Sequence, residues 1–239
     1  MTGLRVLFVH AVRERLANLS RNLLAGAIFL IPPVVRAFER GEGSLPGEMS
    51  AVWLSLIFGA GLIGPDASGG VLELVLTRPV TRPQYVLARW LAAAGLASGA
   101  AAGQTAVVAA IMAGFGHAPA WAAIGSTVVP QLSVAVGLTA VLVAFSAMTS
   151  GFGDLRAWLL CWILGAIVEF AGQARHVGWL RRAGDEITKT MLPGIDADAL
   201  PTLLAFPCTS LVGWLSTVTL ALAVAMVVLN RRELSHGGS

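Results

Sequence analysis

Charge is scarce in this sequence. Only 12% of its 239 residues are Asp, Glu, Lys or Arg, while 56% are hydrophobic; soluble domains carry about 25% charged residues. A water-soluble chain this apolar could not cover its own core, and that excludes an ordinary soluble fold. Cysteine is nearly absent too. Cys161 and Cys208 are the two present, with no C-x-x-C and no His/Cys cluster, which excludes a disulfide framework and a zinc site. Lysine occurs once, as Lys189, and no G-x-x-x-x-G-K-[ST] loop exists, so the chain has no means of cradling a nucleotide phosphate. H-E-x-x-H, G-x-S-x-G and paired carboxylates at catalytic spacing are also missing. His10, His117, His176 and His236 are scattered through termini and loops. A net charge of +3 is too small to argue for nucleic acid as a partner. The first apolar run lacks an A-x-A cleavage pattern and carries Pro32, Pro33 and Arg36, so it is not expected to be a cleaved signal peptide.

What is there is a series of apolar runs of membrane-spanning length. A bilayer core of about 30 Å takes roughly 20 apolar residues per helix, and six such runs fit, at about 22–38, 49–64, 85–115, 124–148, 155–174 and 203–229. The expected fold is one all-α membrane domain over 1–239. It consists of an amphipathic interfacial helix in residues 1–20 and a six-span bundle over 21–235, with short links. Leu4, Phe8, Val12, Leu16 and Leu19 repeat at helical spacing in the leading helix, although Arg15 falls inside that stripe. The helix is expected to lie along the cytoplasmic leaflet; a cytoplasmic extension of the first span is the alternative. The first span reads as short and interrupted at Pro32-Pro33. Residues 66–84 are too polar and proline-marked to cross. Thr81-Arg82-Pro83-Gln84 reads as a capping box opening the third span.

Within the spans, Gly95, Gly99 and Gly103 repeat every four residues and predict close helix packing. Arg36 and Glu169 are intramembrane charges, costly to bury and hence functional candidates. They are displaced outward by similar amounts, so an interhelical ion pair is one arrangement and snorkelling of Arg36 another. Gln104, Gln131 and Gln173 either line a path or bond across helices. With the N-terminus inside, ten basic residues fall in inner segments and six in outer ones. That bias predicts cytoplasmic termini, a cytoplasmic 66–84 link and an external polar stretch over 175–202. Cys161 and Cys208 are then most of a bilayer apart and are expected to be unbonded.

One stretch carries a family likeness. Gly69-Gly70-Val71-Leu72-Glu73-Leu74-Val75-Leu76-Thr77-Arg78-Pro79-Val80-Thr81-Arg82 resembles the G-x-L-E-x-L-L-x-x-P-[VI]-[ST]-R signature that links the second and third spans of ABC-2 type permeases. The basic exit Asn230-Arg231-Arg232-Glu233-Leu234 looks similar to that family's last turn. The resemblance covers the whole chain in layout and is motif-specific over about twenty residues. It implies a permease subunit of an ABC exporter in a prokaryotic cytoplasmic (inner) membrane. Its partners would be a second permease copy or a homologous permease and a separate cytoplasmic ABC ATPase, which binds the ATP and magnesium; the chain itself holds no cofactor. The same likeness makes residues 66–80 the coupling segment, with Leu72, Val75 and Leu76 as apolar anchors on the ATPase and Glu73 and Arg78 at the rim. An ion-driven carrier and a membrane-embedded enzyme are the competing classes.

Overall fold

In the computed structural model, residues 2–69, 81–195 and 209–234 are described. They form nine helices: α1 Thr2–Ala17, α2 Leu19–Phe38, α3 Glu48–Gly59, α4 Gly64–Ser68, α5 Arg82–Gly114, α6 Trp121–Met148, α7 Gly153–Ala174, α8 Gly178–Met191 and α9 Thr209–Leu234. Six segments are long and apolar enough to cross a membrane: α2, Glu48–Ser68 (α3 with α4), α5, α6, α7 and Ser210–Arg231 in α9. Large apolar side chains also lie on the outside, where lipid would solvate them, such as Leu30, Ile31 and Phe38 on α2 and Leu160, Leu164 and Phe170 on α7. The bundle is built around α6, which is 72% buried over its most apolar window, against 11% for α2 and 17% for α7. α3, α5, α7 and α9 all pack on it.

The ends of the bundle follow from specific bonds. Arg82 donates to Asn230 Oδ1 at 3.2 Å, which brings the start of α5 to the end of α9. Arg15 reaches the α3–α4 turn, so α1 lies at this terminal end too. At the distal end Gln131 donates to Pro46 O at 2.8 Å, and Gly41 packs on Met112 and Phe115. Thr81 is extended and caps α5, with Pro83 in the first turn and Gln84 Oε1 accepting from Thr81 N at 3.2 Å, as its sequence predicts.

Two expectations change here. α2 is not interrupted at Pro32-Pro33; it runs unbroken over 20 residues. Each proline lacks an N–H and so orphans the carbonyl four residues earlier, which means Ile28 and Phe29. Gln104 Nε2 donates to both, at 2.8 and 3.0 Å. A neighbouring helix thus supplies what the prolines remove, and Gln104 bonds across helices. Gln104→Leu keeps the volume but leaves both carbonyls unsatisfied. It is expected to lower the stability of the purified protein by about 1–3 kcal/mol, read as a lower unfolding midpoint; an unchanged midpoint would show that the two bonds contribute nothing.

The second change concerns α1. The helix forms, but its polar and apolar residues do not divide into two faces. Val6 and Leu16 face outward while Arg15 is only 2% exposed. The arginine that spoilt the apolar stripe helps to dock α1 on the rest of the protein.

A polar clamp at the terminal end as the candidate functional site

The second span bends between α3 and α4, and the bend at 60–64 is held almost entirely by side chains from elsewhere. Arg15 donates to Ala60 O at 2.5 Å and to Gly61 O at 2.7 Å. Gly61 N donates to Asp154 Oδ2 at 2.6 Å. Ile63 N and Gly64 N both donate to Ser146 Oγ, at 2.9 and 3.0 Å. Buried backbone groups need such partners wherever no helix supplies them. Gly61 has φ +62, and a Cβ there would lie 2.6 Å from the Phe152 ring; only glycine takes that conformation without strain. Desolvation by burial, with repulsion from Arg21 and Arg89, pulls the Arg15 pKa down to about 10. Arg15 therefore still carries its charge at neutral pH.

Directly after the bend, Asp66 ties α4 to α5. Its carboxylate accepts from Tyr85 Oη and from an Arg89 guanidinium nitrogen. The other terminal nitrogen of Arg89 bonds Glu14 of α1 at 2.5 Å. Arg89 lies 5.5 Å from the centroid of the Tyr85 ring and is 6% exposed. Glu14, Asp66, Tyr85 and Arg89, with Leu7 and His10, border a cavity of about 240 Å³. α1, α4 and α5 thus share one charged joint, and Arg15, Asp154 and Ser146 join α1 and the α6–α7 corner to the same bend. Among the described residues no group of three or more His, Cys, Asp or Glu could hold a metal ion. What the arrangement can do is mechanical: it fixes both flanks of residues 70–80 to the bundle.

The residues singled out in the sequence are distributed as follows. Leu72, Glu73, Val75, Leu76 and Arg78 lie outside the described residues. Gly95 and Gly99 meet nothing among the described residues, since a Cβ at either has no such neighbour within 4 Å; of the three, Gly103 approaches another helix, at the Phe29 ring, 3.6 Å. Arg36 is bonded to Glu39, to Glu42 O at 3.0 Å and to Ser44 O at 2.8 Å. It closes the α2–α3 turn and makes no pair with Glu169. Glu169 is half-buried, and its backbone and Cβ pack against Gly184 of α8. Cys161 is a free thiol, and Cys208 lies outside the described residues.

Residues 178–195 depart most from expectation. The polar stretch is helical over Gly178–Met191: α8 turns back at the distal end and runs antiparallel along α7. A Cβ on Gly172 would lie 2.3 Å from Arg181 N, and one on Gly184 2.2 Å from Glu169 N. The two backbones therefore touch. At the foot of α8, Trp158 Nε1 donates to Met191 O at 2.9 Å, Ile195 N donates to Ser133 Oγ at 2.8 Å, and Pro193 sits against Gly137.

The clamp was not picked out from the sequence, though three signals for it exist. Arg15 breaks an apolar stripe, Arg89 is the one charge in the apolar part of the third span, and Tyr85 is the only tyrosine. No family model, curated protein or solved structure matches this chain.

Proposed function

We propose that the chain is the membrane-spanning permease subunit of an ABC exporter, driven by a separate cytoplasmic ATPase that docks on residues 70–80. The observation that carries this reading is the mounting of that segment. Its sequence is the one that resembles the family signature, and both its flanks are anchored at the terminal end, at Asp66 on one side and at the capped start of α5 with Arg89 on the other. A push on a segment held so closely passes into α4 and α5 with little slack. The apolar run Val71-Leu72-Glu73-Leu74-Val75-Leu76 also has reason to bury itself against a partner. The basic asymmetry supports cytoplasmic termini in a prokaryotic inner membrane, and a second permease copy or homologue would complete the path. The partner supplies the ATP site and its magnesium.

Leu72 and Leu76, four residues apart in that run, are the anchors to remove. The double substitution Leu72→Asp and Leu76→Asp is expected to release the ATPase or uncouple hydrolysis from transport, with the membrane domain still folded. Copurification with the ATPase and undiminished transport by the double variant would refute the docking role.

A further inference from the structure

The depth of α8 sets a physical problem. α7 is a spanning helix, and α8 lies against it from Arg181, level with Gly172, to Met191, level with Trp158. From Arg181 to Met191, α8 covers about 15 Å of the span at 1.5 Å per residue, and the Trp158 indole reaches up to meet its lower end. The foot of α8 rests on Ser133, Val134 and Gly137 in the middle of α6, the most enclosed span. The α7–α8 hairpin cannot therefore stand clear of the bilayer. Yet below Trp179, which is itself exposed, the face of α8 turned away from α7 is hydrophilic: Arg182, Glu186, Lys189 and Thr190 are all exposed. Its polar and apolar residues are sharply segregated, with Leu180, Ala183, Gly184 and Ile187 on the packed side. Ionised side chains do not face lipid at that depth; they face protein or water.

The charges are also ordered along the helix. Arg175, Arg181 and Arg182 cluster at the distal mouth, and among the described residues none is paired with a carboxylate. Down the exposed face the signs alternate from Arg182 to Glu186 to Lys189, which is bonded to Asp185 at 2.7 Å. The one acidic group packed against α8 from α7 is Glu169, beside Gly184.

We propose that the outward face of α8 is the wall of a water-filled passage inside the membrane, opening distally at a mouth lined by Arg175, Arg181 and Arg182, and that the passage takes a hydrophilic anionic solute. The basic mouth concentrates anions by its field, and low-dielectric walls strengthen that effect. Alternating charges below give a polar lining that holds no one sign tightly, so a solute is released. The passage deepens the transport reading but does not depend on the ATPase. A carrier working alone would use it equally, so failure of the docking experiment above leaves it standing.

Thiol accessibility in proteoliposomes tests it, in a background carrying Cys161→Ala and Cys208→Ala. Thr190→Cys probes the foot of the exposed face without changing charge, Glu186→Cys its middle, and Leu164→Cys the lipid-facing side of α7 at comparable depth. A membrane-impermeant anionic thiosulfonate is expected to label Thr190→Cys and Glu186→Cys and to leave Leu164→Cys unreacted. With rates normalised to free cysteine, the anionic reagent should react at Thr190→Cys at least about tenfold faster than a trimethylammonium one. Combining Arg181→Gln with Arg182→Gln should remove most of that preference. Equal labelling of α7 and α8 would place the hairpin in bulk water and overturn the passage, and so would protection of both α8 positions. A preference for the cationic reagent would overturn the anionic solute.

Discussion

Arg89→Met is expected to destabilise the protein by about 3–5 kcal/mol, the range for removing one partner from a buried ion pair. The reason is what it leaves behind. Asp66 keeps only the Tyr85 hydroxyl as a bonded partner among the described residues, and its side chain is 14% exposed, so its carboxylate stays desolvated without a bonded counter-charge. Glu14 suffers less, because its side chain is 45% exposed and water can replace the lost bond. The effect is specific to the unpaired charge. Combining Arg89→Met with Asp66→Leu removes both members of the pair and is expected to recover most of the loss. Unfolding midpoints of the wild type, both single variants and the double variant close the cycle. A double variant as weak as the sum of the singles would mean that Arg89 acts through packing and not through Asp66. The same variants also bear on coupling, since the joint tying α4 to α5 is the one through which motion of residues 70–80 would enter the bundle.

The hairpin of α7 and α8 gives the second large effect. Gly172→Leu and Gly184→Leu each place a side chain where another helix's backbone already lies, 2.3 Å from Arg181 N and 2.2 Å from Glu169 N. A flexible side chain can step aside, whereas a backbone moves only with its helix. Each substitution is therefore expected to cost about 3 kcal/mol, the upper end for overpacked sites, and to free α8 from α7. Two controls separate this from a general dislike of larger residues. Gly178→Ala, with nothing within 4 Å and no positive φ, should be silent. Gly165→Ala meets mainly Ile187 and Thr188 side-chain atoms, the nearest at 2.8 Å, and should be milder than either leucine. Unfolding midpoints, with protease sensitivity of 178–195 as a second readout, distinguish the outcomes. Tolerance of both leucines would show that the hairpin is not the packed unit described above.

Some of this architecture was plain in the sequence, for a simple reason. A membrane span needs length and apolarity, and both are properties of a single run of residues. Thus 124–148 anticipates Trp121–Met148 and 155–174 anticipates Gly153–Ala174 within a few positions. The capping box at Thr81 is equally local. What depends on another part of the chain was not legible. Pro32-Pro33 read as an interruption because Gln104, whose amide answers the orphaned carbonyls, is more than seventy residues away. Arg15 read as a flaw in an amphipathic helix because the carbonyls it binds belong to the α3–α4 bend. The four-residue glycine stripe of the third span was conspicuous, yet Gly95 and Gly99 touch nothing among the described residues. The glycines that bring helices into contact, Gly172 and Gly184, sit on two different elements, and no single-helix pattern joins them. α8 misled for the opposite reason. Its five charges among 14 residues read as a loop in water, because composition reports which solvent a segment requires and not where that solvent is.

The central claim is that this chain works as one half of a transporter whose energy comes from another polypeptide. Its most direct test is to purify the tagged chain from its native membrane in mild detergent and identify what stays bound. The account predicts a P-loop ATPase in near-equal amount, retained by the wild type and lost from the variant carrying Leu72→Asp with Leu76→Asp. A chain that retains no ATPase and still moves solute in proteoliposomes without ATP would contradict it.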